Sequence, residues 1–142
     1  MAFWLMKTEP EVYSWQKLVQ TGRAVWDGVR NYAARNHLRS MQVGDLVLIY
    51  HSNEGKECVG IATVVRTAYP DPSTPDDRWS AVDIAPVQPL QKPVTLQTIR
   101  DEQAAGGVLK DIKVIRENRL SVVPLTPPEW QRLLELAATA TT

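Results

Sequence analysis

The sequence predicts an α+β fold: a small sheet of five or six strands, mixed or closed, with helices packed around it. Three observations predict it. Two runs rich in β-branched residues, "LVLIYHS" (46–52) and "CVGIATVVRTAY" (58–69), lie mid-chain and are joined by the glycine-containing "NEGK" (53–56). Clear helical spacing is confined to 31–41 and to the C-terminal end. Strands and helices do not alternate regularly, which argues against a doubly wound parallel sheet. A small closed barrel would explain how short strands avoid exposed edges.

Taken in order, "AFWLM" (2–6) is apolar enough for a buried strand, and "KTEPEVYS" turns after it at Pro10. Ser14 caps a short helix over 15–20 that Gly22 closes. "RAVWDGV" is extended and ends in a loop at Asp27-Gly28. From Asn31 to Met41, Ala34, Leu38 and Met41 share one helical face, and Asn31, Arg35 and Arg39 share another. Gly44-Asp45 turns into the two central strands. "PDPSTPDD" (70–77) is a loop, and "WSAVDIAPV" (79–87) is a third strand whose end Pro86 and Pro89 confine to a sheet edge. Residues 94–119 read as one short helix near 95–103 and then irregular chain. "RLSVVPL" (119–125) is a last strand. Thr126-Pro127-Pro128-Glu129 is a capping-box pattern opening a helix that buries Trp130, Leu133, Leu134 and Ala137.

The chain has 142 residues, enough for one core, so a single domain over 1–142 is expected, frayed at 138–142. There is no basic, apolar leader with a cleavage site and no apolar run long enough to span a bilayer. With one cysteine, Cys58, the composition fits a reducing compartment: cytoplasmic, or nuclear in a eukaryote. Sixteen basic residues balance 16 acidic ones, which argues against a non-specific nucleic-acid coat. The charge is nevertheless sorted. Positions 23–39 carry Arg23, Arg30, Arg35 and Arg39 against Asp27, whereas 71–78 carries Asp71, Asp76 and Asp77 against Arg78.

Most catalytic schemes fail for want of parts. No phosphate loop, dinucleotide fingerprint or nucleophile elbow occurs. His37 and His51 are the only histidines, too few for a recognisable zinc set. His37 reads as a packing residue and Cys58 as a small core residue, and no metal or cofactor is expected. A Cys58–His51 dyad lacks any thiolate-stabilising neighbour, and Glu9 with Asp27 could form a carboxylate pair.

Binding chemistry is better supplied. An unstacked nucleobase needs a plane over its face, polar groups at its edge and cations on the flanking phosphates. "VWDGVRNYAARN" (25–36) offers Trp26, Asn31, Arg30 and Arg35 for these roles, with Gly28 allowing close approach. "YHSN" (50–53) adds His51, Ser52 and Asn53 at a strand end. Each has a plainer reading beside it. A tryptophan can be core, Arg35 and Arg39 can be a solvated helix face, and Asn53 can simply turn the hairpin.

"WLMKTEP", "YSW", "WDGVRNYAARNHLR", "GDLVLIYHSN", "GIATVVRTAYPDP" and "RLSVVPLTPPEW" together resemble the EVE domain family, from about Phe3 to Leu136. The resemblance implies a PUA-like small β-barrel flanked by helices, related to YTH and ASCH modules, that reads a modified base in DNA or RNA. It implies a pocket lined by Lys7, Thr8, Glu9, Trp26, Asp27, Arg30, Asn31, His51, Ser52 and Asn53, with Tyr69, Asp71, Arg119 and Ser121 at the rim. Two positions depart from the family pattern: Thr8 stands where serine is usual, and Ala33 where glutamine is common. The expected function is a non-catalytic, monomeric reader in which Trp26 stacks on the base and Lys7, Arg30, Arg35 and Arg119 hold the sugar–phosphate. The rival is a glycosylase or hydrolase using Glu9 or Asp27.

Overall fold

A computed structural model describes residues 1–139. The elements run β1 (Phe3–Thr8), α1 (Trp15–Thr21), β2 (Ala24–Trp26), α2 (Tyr32–Ser40), β3 (Leu46–His51), β4 (Glu57–Pro70), β5 (Ser80–Thr95), α3 (Leu96–Ala104), α4 (Lys113–Arg116), β6 (Val122–Leu125) and α5 (Pro127–Leu136). The six strands form one sheet in the order β2-β5-β4-β3-β1-β6. Among the described residues only the β1–β3 pair is parallel.

The expected closed barrel is not formed. β2 bonds only to β5, and β6 only to β1, so the sheet keeps two ends. These end strands have three and four residues and do not pair with each other. Helix α2 packs against β6 at one end of the order and against β4 and β5 toward the other.

Both faces of the sheet are buried, which explains why β1 and β3 read as unbroken apolar runs. Trp4, Met6, Val47 and Ile49 point to one core, which α1 and α2 complete with Leu18, Ala34 and Leu38. Leu5, Leu48 and Tyr50 point to the other, completed by Ile99 of α3, Val114 of α4 and Trp130, Leu133 and Leu134 of α5. Trp15 lies so close to β4 that a Cβ on Gly60 would sit 2.5 Å from its ring carbons. Trp4 donates its indole N–H to Asp45 (3.0 Å), which also accepts from the Gln42 amide (3.0 Å).

The helix ends carry the caps their residues predict. Ser14 accepts from the Lys17 amide, and Gly22 closes α1 with φ 74°. Thr126 and Glu129 form both halves of the capping box. His37 is a partly buried packing residue, its ring 5.9 Å from Trp4. β5 is longer than its pattern predicts. It passes Pro86 and Pro89 to reach Thr95, because beyond Ile84 it keeps only β4 beside it and register breaks accommodate the prolines. The 94–119 stretch, expected to be irregular after one helix, contains a second short helix, α4. Of the tail expected to fray, Thr139 accepts from the Gln91 amide (2.8 Å), and 140–142 lie outside the described residues.

Candidate functional site

Two cavities open on either side of a ridge formed by Lys7, Glu9 and Ser121, which line both. The first, of about 400 Å³, lies between the end of β1, the turn after it and the segment Ala24–Arg30. The second, of about 480 Å³, lies between the β3–β4 hairpin, α3 and the chain leading into β6.

Trp26 stands in the wall of the first cavity but is only 8% exposed. It belongs to the core that it shares with Trp4 and Trp15. The indole is therefore a wall that offers a small part of its surface, where the sequence suggests a ring free at the mouth. Asp27 and Arg30 follow it around the same cavity, with Thr8 and Glu9 opposite. Thr8 donates its hydroxyl proton to the Tyr13 carbonyl (2.7 Å), so toward the cavity it can only accept.

What shapes the 27–30 loop is Asp71, from behind. One carboxylate oxygen accepts from the Gly28 amide and from Arg30 Nη1, both at 2.9 Å. The other accepts from the Ser73 amide (2.7 Å) and hydroxyl (2.6 Å). Gly28, at φ 77°, supplies the left-handed turn that aims its N–H at this carboxylate. Burial pushes the Asp71 carboxyl up, but its hydrogen bonds from Ser73, Arg30 and Gly28 outweigh that and hold it at about 2. The resemblance puts Asp71 at the rim; at 2% exposure it is instead a buried brace.

Several other expected site residues serve the frame. Asn31 caps α2, accepting from the Ala34 amide (3.0 Å). Arg35 turns to Asn36 and the Arg78 carbonyl and lies 4.8 Å over the Tyr32 ring. His51 accepts from the Trp15 amide (3.1 Å), and burial lowers its pKa, which suits the neutral ring this bond needs. Tyr69 donates to Asp83, while burial and then that carboxylate push its phenol up to about 12. None of these lines either cavity. Ser52, Asn53 and Arg119 line the second cavity, not the one walled by Trp26. The sequence reading misses Val12, Tyr13, Val25 and Val29 in the first cavity, and Lys56 and Arg100 in the second. Tyr13 has a signal in "YSW"; Arg100 has none, because only tertiary folding brings α3 to the hairpin.

Covalent chemistry finds little here. Cys58 is fully buried, and burial, then Glu57, pushes its thiol up to about 12, far from a thiolate. Among the described residues no three His, Cys, Asp or Glu side chains gather as a metal set, and no helix is long and apolar enough to cross a membrane.

The model of the EVE domain matches residues 2–136. This chain belongs to the EVE domain family. Among its relatives, mouse thymocyte nuclear protein 1 is 36% identical over 167 residues, covering 96% of this chain and 74% of its own. A crystal structure of an Agrobacterium tumefaciens protein superposes with a TM-score of 0.94 at 36% identity, covering 100% of this chain and 97% of that one. The human THYN1 protein, solved in complex with DNA containing 5-methylcytosine, superposes with a TM-score of 0.90 at 33% identity, covering 99% and 100%. Both superpositions run along nearly the whole EVE domain, so the two cavities lie within a fold that these relatives share.

Proposed function

We propose that this EVE domain is a non-catalytic reader of a modified base in DNA, and that the base, unpaired or flipped from its stack, enters the cavity walled by Trp26. One observation carries the reading: an aromatic wall, two carboxylates, a hydroxyl and a guanidinium all border one space of about 400 Å³. That size falls within the ordinary range for small-molecule sites. The human relative's complex with DNA containing 5-methylcytosine supports the ligand class.

The polar groups narrow the class further. Glu9 and Asp27 are acceptors when ionised, and Thr8 accepts because its proton goes to Tyr13. The donors are already engaged: Arg30 is bonded to Asp71 and Ser73, and Lys7 donates through Nζ to the Asn118 carbonyl (3.0 Å). An acceptor-rich rim suits a base with an exocyclic amino group, as cytosine has. Trp26 and Val29 supply the apolar corner for an added methyl group. Burying one such carbon stabilises by about 0.8 kcal/mol, a preference of about fourfold.

The test is equilibrium binding of a single-stranded oligonucleotide carrying one 5-methylcytosine against its cytosine twin. At least about fourfold preference for the methylated strand is expected; equal affinities would remove the reading. After incubation, nucleoside mass spectrometry should return the modified base intact. Release of free base would instead assign hydrolytic chemistry to Glu9 or Asp27.

A further inference from the structure

We infer that the second cavity, across the Lys7–Glu9 ridge, holds the nucleotide next to the read base, with Lys56, Arg100 and Arg119 around its phosphate. This rests on the reading of the first cavity as the base site. The second cavity is slightly the larger, at about 480 Å³ against about 400 Å³. Four cations line it, Lys7, Lys56, Arg100 and Arg119, against one carboxylate, Glu9.

Lys7 donates to the Asn118 carbonyl (3.0 Å), but the other three charges are not spent within the protein. Arg23, Arg30, Arg78, Arg116 and Arg132 each pair with a carboxylate. Among the described residues Lys56, Arg100 and Arg119 have no such partner. They come from three separate segments: Lys56 from the β3–β4 hairpin, Arg100 from α3, and Arg119 from the approach to β6. A hydrogen bond from the Leu96 amide to the Lys56 carbonyl (2.8 Å) ties the hairpin to the start of α3. Convergence of unpaired cations from three segments on one concavity is electrostatically unfavourable unless an anion completes it.

The floor is apolar, built from Leu96, Val114, Ile115 and Leu120. A cationic rim over an apolar floor fits a sugar and base below a phosphate better than it fits a bare ion. The shared ridge sets the order along the strand. A chain whose base sits beside Trp26 reaches the cations by crossing Lys7, Glu9 and Ser121, without leaving the surface.

The experiment uses the full chain, a short single strand carrying 5-methylcytosine, its cytosine twin, and deoxycytidine monophosphate alone. Binding is measured over a salt series for the wild type and for Lys56→Gln/Arg100→Gln, with each single variant as a check on folding by thermal melting. The double variant is expected to bind both strands on the order of tenfold more weakly, and its dependence of log K on log salt should flatten by about 0.7 for each phosphate that is no longer neutralised. The preference for the methylated strand should not change. Unchanged affinity and slope overturn the assignment while a wild-type preference leaves the base reading intact. Weaker binding with a flatter slope, but no wild-type preference, leaves the cationic cavity standing and removes the base reading. If the wild type binds neither strand, or binds the mononucleotide as tightly as the strand, the cavity is not a strand site.

Discussion

The two cavities share a ridge but are held in different ways. The wall beside Trp26 is braced from behind: Asp71 bonds to Gly28, Arg30 and Ser73, and Trp26 itself is anchored in the core. The wall across the ridge carries Lys56, Arg100 and Arg119, exposed side chains with no carboxylate partner among the described residues. A braced wall fixes shape at the cost of free donors, whereas an unbraced one keeps its charge available. In the reading proposed above, discrimination and affinity belong to different sides of one ridge, the first from position and the second from net charge.

The largest break in this contrast should come from Asp71→Ala. It leaves the Gly28 amide and the Arg30 guanidinium without their acceptor, and a loss of about 3 kcal/mol is expected in denaturant unfolding, together with loss of base preference. The same change has a pH counterpart. Because the Asp71 carboxyl is held at about 2, below its value in the unfolded chain, its stabilisation is complete above about 4 and fades as pH falls through 2. Acid unfolding of Asp71→Asn should lack that component, which is worth about 2 kcal/mol in the wild type. A wild-type curve that matches the variant's would mean that the brace adds nothing.

Asp27→Ala sharpens the contrast from the other direction, because Asp27 is exposed and, among the described residues, holds no structural hydrogen bond. Binding of the methylated strand should fall on the order of tenfold with an unchanged melting temperature and an unchanged salt slope, since the variant removes an acceptor for the base and leaves every phosphate neutralised as before. The smallest effect belongs to Lys92→Gln, an exposed cation that borders neither cavity. Affinity and salt slope should stay as in the wild type. A flattening equal to that of Lys56→Gln/Arg100→Gln would make the charge effect general to the surface.

Much of the site's inventory could be read in the chain, but its division could not. "WDGVR" and "KTEP" do meet at one cavity, and "YHSN" does reach a concavity, through Ser52 and Asn53. The ridge that separates the two is completed by Ser121, which accepts the Lys7 amide through its carbonyl at 2.8 Å, a contact across more than a hundred residues. His51 illustrates the converse. Its residue type suggests ligand contact, yet its ring nitrogen is taken by the Trp15 amide, a partner no local pattern announces. Asp71 is similar: the family resemblance implies a place at the rim, but the fold turns its carboxylate inward.

By itself the sequence determined what depends on neighbours a few residues away. Caps at Ser14 and Thr126, the turn at Gly22 and the unbroken apolar strands β1 and β3 follow from short-range hydrogen bonding and from the demand that both sheet faces be covered. Only the tertiary structure decided that the sheet stays open, that the Trp26 ring is mostly enclosed, and that Arg100 joins Lys56 and Arg119. The reason is physical: closure, enclosure and convergence of charge depend on distances between segments far apart in the chain, and residue order constrains those distances only through the packed whole.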